Sequence, residues 1–317
     1  MPRKIEYEED RMSETRKAAA FGEILWDILP EKKCLGGAPF NCGAHLNRLG
    51  FKTSMISALG DDQLGQEALS LIEKETVSSR FISMLSGVPT GFTNVVLDNG
   101  KPSYEFNSPC AWDYIALNPR LKKEFLSTHW DVFCFGSLAQ RSFVSYQTLH
   151  SLLAGINADI KYFDINLRKT FYTKSVVEQS LKYADILKMN DEELPVVSNL
   201  LEITGNAAAV AENIINKYKL RGIIITAGKD GTTAYFNNQE YRTFPGDVPV
   251  VDTVGAGDSF SAAFLASYIA GNSVRDALNA GSTLADFVVS HSGALPEYDS
   301  EIRTKLAQSG CYAAENS

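Results

Sequence analysis

Residues 251–260 read VDTVGAGDSF: an apolar, strand-like run, three small residues at Gly255, Ala256 and Gly257, and then an aspartate, Asp258. Downstream, Phe260, Ala263, Phe264 and Tyr268 recur at helical spacing and predict a helix with one apolar stripe, opening near Asp258. The glycine turn therefore falls at a helix N-terminus, where the first amides have no intrahelical partner. Free N–H groups and the positive end of the helix dipole make such a turn an anion site. Glycine also lets a ligand approach without a Cβ in the way. An aspartate in a first turn is comfortable as a simple cap, so this stretch alone leaves a structural reading open.

The same strand-then-helix order recurs outward from it. AFGEILWDIL, KTSMISALG, WDVFCFGS, IKYFDINL, ADILKMN and RGIIITAG are short apolar runs, and LGQEALSLIEK and GNAAAVAENIINKYK have helical spacing. Continuous apolar strands alternating with helices predict an α/β fold, with a mostly parallel central sheet flanked by helices on both faces. TNVVLDNGKPSYEF departs from this pattern: Asn99-Gly100 predicts a tight hairpin, and Pro102 confines its second strand to an edge. The expectation is a single domain over residues 18–310, with a small β-sheet lid inserted from about 29–38 and 88–113. Residues 1–17, with ten charges of mixed sign and no apolar core, read as a flexible extension, with Met12 as a candidate start, and 311–317 as a tail.

Composition excludes several classes. The chain has 317 residues, 44% hydrophobic and 21% charged, which suits a globular domain with a sizeable core. A net charge of −8 argues against a nucleic-acid partner, and no apolar run reaches the roughly 18 residues of a membrane span. Five cysteines with no CxxC pattern point to reduced thiols in a cytoplasm and away from a zinc site.

Ligands of open parallel sheets bind at the carboxyl ends of the strands. Polar groups gather at those ends: Asp27, Ser137, Asn166 with Arg168, Asn190, and Thr226 with Gly228. The glycine turn is not a dinucleotide fingerprint, because Phe260 stands where a third small residue is needed, and GxxxxGK[ST] occurs nowhere.

Taken together, these residues resemble the ribokinase-like (PfkB-type) carbohydrate kinases. DTVGAGDSF resembles that family's C-terminal signature and GGAPFNCGAHLNRLG its N-terminal one. GEILWDILP, GDDQLG, TGFTNVVLDNG, FDINLR, NDEE and TAGKDG match further motifs in order, so the resemblance spans roughly Ala20 to Pro296. It implies transfer of the γ-phosphate of ATP to a primary sugar hydroxyl, with Asp258 as general base and Gly255, Ala256 and Gly257 as the anion hole. Asn190 and Glu193 match an NxxE motif that acts through water on Mg²⁺, although an Asn cap opening an acidic helix fits the same residues. Thr226, Gly228 and Gly231 match the nucleotide loop, along with Gly255 and Gly257, and Asn279 a position lining the adenine pocket. Lys229 reads as a solvated turn lysine. Asp252, with the loop around Ser290 to Gly293, matches the site of a monovalent cation such as K⁺.

For the sugar, the resemblance points to Asp27, Gly37 and Asn41, whose carboxylate and amide suit a polyol. Arg168 in FDINLR resembles the fructokinase-type branch, where an arginine lies near the sugar and the phosphoryl group. D-fructose is therefore the expected acceptor; ribose, 2-keto-3-deoxygluconate or another sugar is the alternative, and a catalytically silent sugar sensor a more remote one. Trp26, Phe106 and Trp112 read either as stacking platforms or as hinge packing, and the lid as a surface for homodimer pairing.

Overall fold

The first apolar run does not stay in one strand. In a computed structural model, which describes residues 15–28, 32–98 and 101–311, β1 (Lys17–Phe21) stops at Gly22, and β2 (Leu25–Ile28) joins a different sheet. Gly22 has φ 151°, and a Cβ there would lie 2.6 Å from the Pro39 ring. The chain continues through β3 (Lys33–Gly36), α1 (Ala38–Arg48), β4 (Lys52–Gly60), α2 (Gln63–Lys74), β5 (Ser78–Leu85), β6 (Gly91–Asp98) and β7 (Lys101–Phe106). Next come α3 (Pro119–Ser127), β8 (His129–Phe135), α4 (Phe143–Leu153), β9 (Asn157–Asp164), α5 (Lys174–Leu181), β10 (Ile186–Asn190), α6 (Glu193–Leu200) and α7 (Ala207–Tyr218). Last are β11 (Gly222–Thr226), β12 (Thr232–Phe236), β13 (Gln239–Thr243), α8 (Ala256–Ile269), α9 (Val274–Val289) and α10 (Ser300–Gln308).

The large sheet runs β13-β12-β11-β10-β9-β8-β1-β4-β5 and is parallel from β11 to β5. Its central strands β1, β4, β8, β10 and β11 are buried on both faces, which is why they read as unbroken apolar runs, whereas the edge strands β5 and β13 are partly exposed. Ala18 and Ala20 of β1 face a core with α1, α8 and α9; Ala19 and Phe21 face a second core with α3, α4 and α7. The hairpin β12–β13 adds two antiparallel strands through Asn237 and Asn238, at φ 51° and 60°. Such paired left-handed residues are what a type I′ turn requires. Helix α8 is not the one-sided helix expected from its stripe, because every residue from Ser259 to Ser267 is buried. It lies between the sheet, α1 and α9, so small residues fill its other sides. Among the described residues, no helix is long and apolar enough to cross a membrane.

The small sheet runs β3-β2-β6-β7, with β7 at its edge as Pro102 demands. The Asn99-Gly100 turn lies outside the described residues. Asn107 ties the two ends of the excursion together: its Oδ1 accepts from Phe92 N at 2.8 Å and its Nδ2 donates to Thr90 O at 3.0 Å. Beyond it, Trp112 is fully buried under the Arg141 guanidinium, 3.7 Å from the ring centre. Trp26 is 3% exposed and donates to Leu64 O. Neither indole offers a free face, so both are packing residues. Phe106 sits edge-on to Phe171 at 6.0 Å.

Candidate active site

The glycine turn is built from three directions. Gly255 takes φ 80°, the left-handed conformation that opens α8, and a Cβ there would lie 2.6 Å from Ala294. Buried His45 on α1 bonds Ala294 O at 2.9 Å through Nε2, so Nδ1 accepts from the Tyr298 hydroxyl at 2.7 Å. Burial pushes the His45 pKa down to about 3, which keeps the ring neutral in that role. Asp252 accepts from Val254 N and from Gly293 N, each at 3.0 Å, so the structure brings Asp252 and the Ser290–Gly293 loop together. The apolar run just before α8 is a loop and not the strand expected: Val250, Val251 and Val254 are 69%, 61% and 42% exposed.

Asp258 lies in the first turn of α8, and its Oδ2 accepts from Asn41 Nδ2 at 2.8 Å. Asn41 is 4% exposed, and its own Oδ1 has no partner among the described residues. It is held in place by the turn before α1. Gly37 has φ 113°, and a Cβ there would strike Glu23 O at 2.3 Å. Burial, and then the charge of Asp164, raise the Asp258 pKa to about 6, against the opposing pull of Asn41, Lys188 and Arg168. A carboxylate tuned towards neutral pH is suited to accepting a proton from a hydroxyl.

At the carboxyl ends of β1, β8 and β9 a small cavity of about 20 Å³ opens, lined in part by Glu23, Ser137, Tyr162, Asp164 and Asn166. Asp27 on β2 accepts from Thr93 Oγ1 at 2.6 Å, and burial raises its pKa. Arg168 is exposed, and its guanidinium makes no hydrogen bond among the described residues, while its charge acts on Glu23, Asp27 and Asp258. Asp27, Gly37, Asn41, Arg168 and Asp258 thus gather around one region.

Three charged residues of this region escape sequence reasoning. Glu23 is 3% exposed with Oε2 unpartnered among the described residues, and burial raises its pKa to about 7. Lys188 is 6% exposed and pairs with Asp164 at 2.8 Å. Burial draws the Lys188 pKa down, but the Asp164 charge and hydrogen bond outweigh it and the net shift is upward. The signal available was spacing: Lys188 and Asp164 follow Ile186 and Tyr162 by two residues, on the face that looks at α8.

On the other side, Asn190 and Thr226 are partners in the β10–β11 register. Gly231 (φ 92°) packs on Thr243 O, 2.5 Å from where a Cβ would sit, and the Thr243 hydroxyl donates to Asn279 Oδ1 at 2.9 Å. Gly228 (φ 51°) faces open space, and Lys229 is exposed. Asn190 and Glu193 cap one another: Glu193 N donates to Asn190 Oδ1 at 2.7 Å and Asn190 N to Glu193 Oε2 at 2.8 Å. Glu193 Oε1 also accepts from Leu167 N at 2.6 Å, beside Arg168. With both oxygens engaged by amides, Glu193 fits contact with a magnesium ion through its water shell and not direct ligation.

Residues 31–300 match the family model described as pfkB family carbohydrate kinase. The chain is 27% identical over 287 residues to a fructokinase of Salmonella typhimurium, across 85% of this chain and 90% of the relative. Its fold is similar to the crystal structure of an uncharacterized sugar kinase from Pyrococcus horikoshii in complex with ATP. There the TM-score is 0.74 at 26% identity, covering 87% of this chain and 93% of that one. A fructokinase from Xylella fastidiosa with bound ATP gives a TM-score of 0.79 at 21% identity over 94% of this chain and 99% of that one, a likeness of fold alone. With its large mostly parallel sheet, its small second sheet and a family match over residues 31–300, the chain belongs to the pfkB family of carbohydrate kinases.

Proposed function

We propose that this protein transfers the γ-phosphate of ATP to a primary hydroxyl of a small sugar, D-fructose before others, with Asp258 as general base. The observation that carries this reading is Asp258 itself: a carboxylate with a pKa of about 6, oriented by Asn41, at the mouth of a helix capped by Gly255 and opened by Ala256 and Gly257. Asp258 takes the hydroxyl proton as the sugar oxygen forms its bond to phosphorus; the bond to the bridging oxygen breaks, and ADP leaves. The amides of the turn hold the phosphoryl oxygens, in keeping with a reaction governed by positioning and electrostatics. Mg²⁺ would supply charge neutralisation of the phosphates, with Asn190 and Glu193 facing its waters. Asp252 and the Ser290–Gly293 loop are where K⁺ would sit. Thr226, Gly228, Gly231 and Asn279 form the nucleotide side.

The sugar side is Asp27, Gly37, Asn41 and Arg168. The free Oδ1 of Asn41 and the unbonded guanidinium of Arg168 are suited to a hydroxyl and to an anionic oxygen, respectively. Fructose is favoured by the FDINLR context of Arg168 and by the fructokinase among the relatives. The five cysteines form no disulfide, and we place the enzyme in the cytoplasm. ADP release measured with Mg-ATP and fructose, ribose, glucose or 2-keto-3-deoxygluconate tests the reading. The highest kcat/KM is expected for fructose. A higher value for another sugar refutes the acceptor and leaves the kinase; sugar binding with no ADP from any of the four makes the protein a sensor.

A further inference from the structure

Directly beneath the anion hole lies a buried ion pair to which neither the family match nor the site residues above assign a role. Lys188 stands on β10, at the centre of the sheet, and its Nζ is 3.1 Å from the position a Cβ on Gly257 would occupy. The ammonium therefore sits on the sheet-facing side of the turn that opens α8. Asp164, on the neighbouring strand β9, fixes it at 2.8 Å. Asp164 is itself held from the helix: Ser261 Oγ lies 3.3 Å from the same oxygen, and the Tyr162 hydroxyl lies 3.1 Å from Ser261 Oγ. The Lys188 side chain is 8% exposed and that of Asp164 19%; an ion pair withdrawn this far from water is costly unless well matched, and a hydrophobic pair of similar volume often stabilises a core as well or better. Stability alone does not explain their presence.

We propose that Lys188 is a positioning residue of the anion hole: its charge, fixed by Asp164 under Gly257, supplies from below the positive field that the turn amides direct at the transferring phosphoryl group. This rests on the phosphoryl-transfer reading above. Helix amides and dipole provide only a partial positive charge, whereas the transferring group spreads full negative charge over its oxygens. A fixed cation in a water-poor site strengthens that stabilisation without reorganising during the reaction. The pair is also balanced with respect to the base, since Asp164 raises the Asp258 pKa and Lys188 lowers it.

That balance gives the test. Lys188→Met alone strands Asp164 and can fail to fold, so the decisive protein is Lys188→Met/Asp164→Asn, which loses both charges and leaves the net charge around Asp258 unchanged. Its kcat is expected to fall by about 10²–10³-fold, the loss seen when one oxyanion-hole donor is removed, with the sugar KM within threefold of wild type. Its affinity for inorganic tripolyphosphate, measured by calorimetry, is expected to fall at least about tenfold, the signature of a lost charge on a phosphate ligand. A folded double variant with wild-type kcat, or with wild-type tripolyphosphate affinity, overturns the proposal and leaves the pair a packing feature. If the wild type turns over no sugar, the kinase reading has failed, and the tripolyphosphate comparison alone decides the role of Lys188.

Discussion

Asp258→Asn is expected to lower kcat by roughly 10²–10⁴-fold, the usual contribution of a general base. The substitution is nearly isosteric, and the new amide keeps an oxygen for Asn41 Nδ2, which now lies 2.8 Å from Oδ2. It also keeps a side chain tolerated at a helix start, so stability should change by about 1 kcal/mol or less. What disappears is the proton acceptor. Removing an interaction used mainly in the transition state lowers kcat far more than it alters affinity, so the KM values for ATP and sugar should stay within a few-fold. If Asp258 were only a cap, turnover would survive. A folded variant retaining more than about a tenth of wild-type kcat contradicts the general-base role.

Arg141→Met is expected to cost about 3–5 kcal/mol of stability, because it breaks a buried ion pair from one side. Arg141 and Asp113 are 6% and 7% exposed, and Arg141 Nε lies 2.7 Å from Asp113 Oδ1. Arg141 also donates to Asn107 O at 3.1 Å and covers Trp112. It thereby ties the return of the small sheet to the turn after β8. Methionine fills comparable volume over the indole but leaves the Asp113 carboxylate without its cation. For a domain whose total stability is typically 5–15 kcal/mol, such a loss is severe. A urea titration checks it, and the Arg141→Met/Asp113→Asn pair, which removes the stranded charge but keeps an oxygen for Cys110 N, should recover part of the loss. A single variant within about 1 kcal/mol of wild type would contradict this account of the Arg141–Asp113 pair.

Much of the fold, and the residues gathered at the centre of the candidate site, were legible in the sequence. β4, β8, β9, β10 and β11 appeared as apolar runs because a parallel sheet covered on both faces leaves no polar alternation to confuse them. Asp258 and its glycines stood out because the bare turn, the carboxylate and the helical stripe are contiguous in the chain, although a capping role fitted them as well. Gly22 was harder, because a strand that changes sheets keeps its apolar character on both sides of the break. The β12–β13 hairpin was missed because its strands are short and polar and Asn237-Asn238 lacks the glycine of the commonest hairpin turns. Glu23 and Lys188 were hard to see for one shared reason: a charged residue inside an apolar run reads as solvent-exposed, and strand spacing gives its face but not its surroundings. For Lys188 that partner is distant in sequence. Asp164 precedes Lys188 by a full strand–helix unit, and only the parallel pairing of β9 and β10 brings them side by side.

The pH dependence of kcat/KM tests the central claim most directly, because it reads the proton that Asp258 must accept. In the free enzyme, burial and Asp164 raise the Asp258 pKa to about 6. A base works only when deprotonated, so activity is present above that pH and is lost as pH falls through it, approaching tenfold per unit. With fructose and Mg-ATP, kcat/KM should be level from about pH 7 to 8 and bend downward near pH 6, with a limiting slope of one. The residual rate of Asp258→Asn should show no such bend. A wild-type profile that stays flat down to pH 5, or the same bend in Asp258→Asn, would contradict Asp258 as the group that takes the proton.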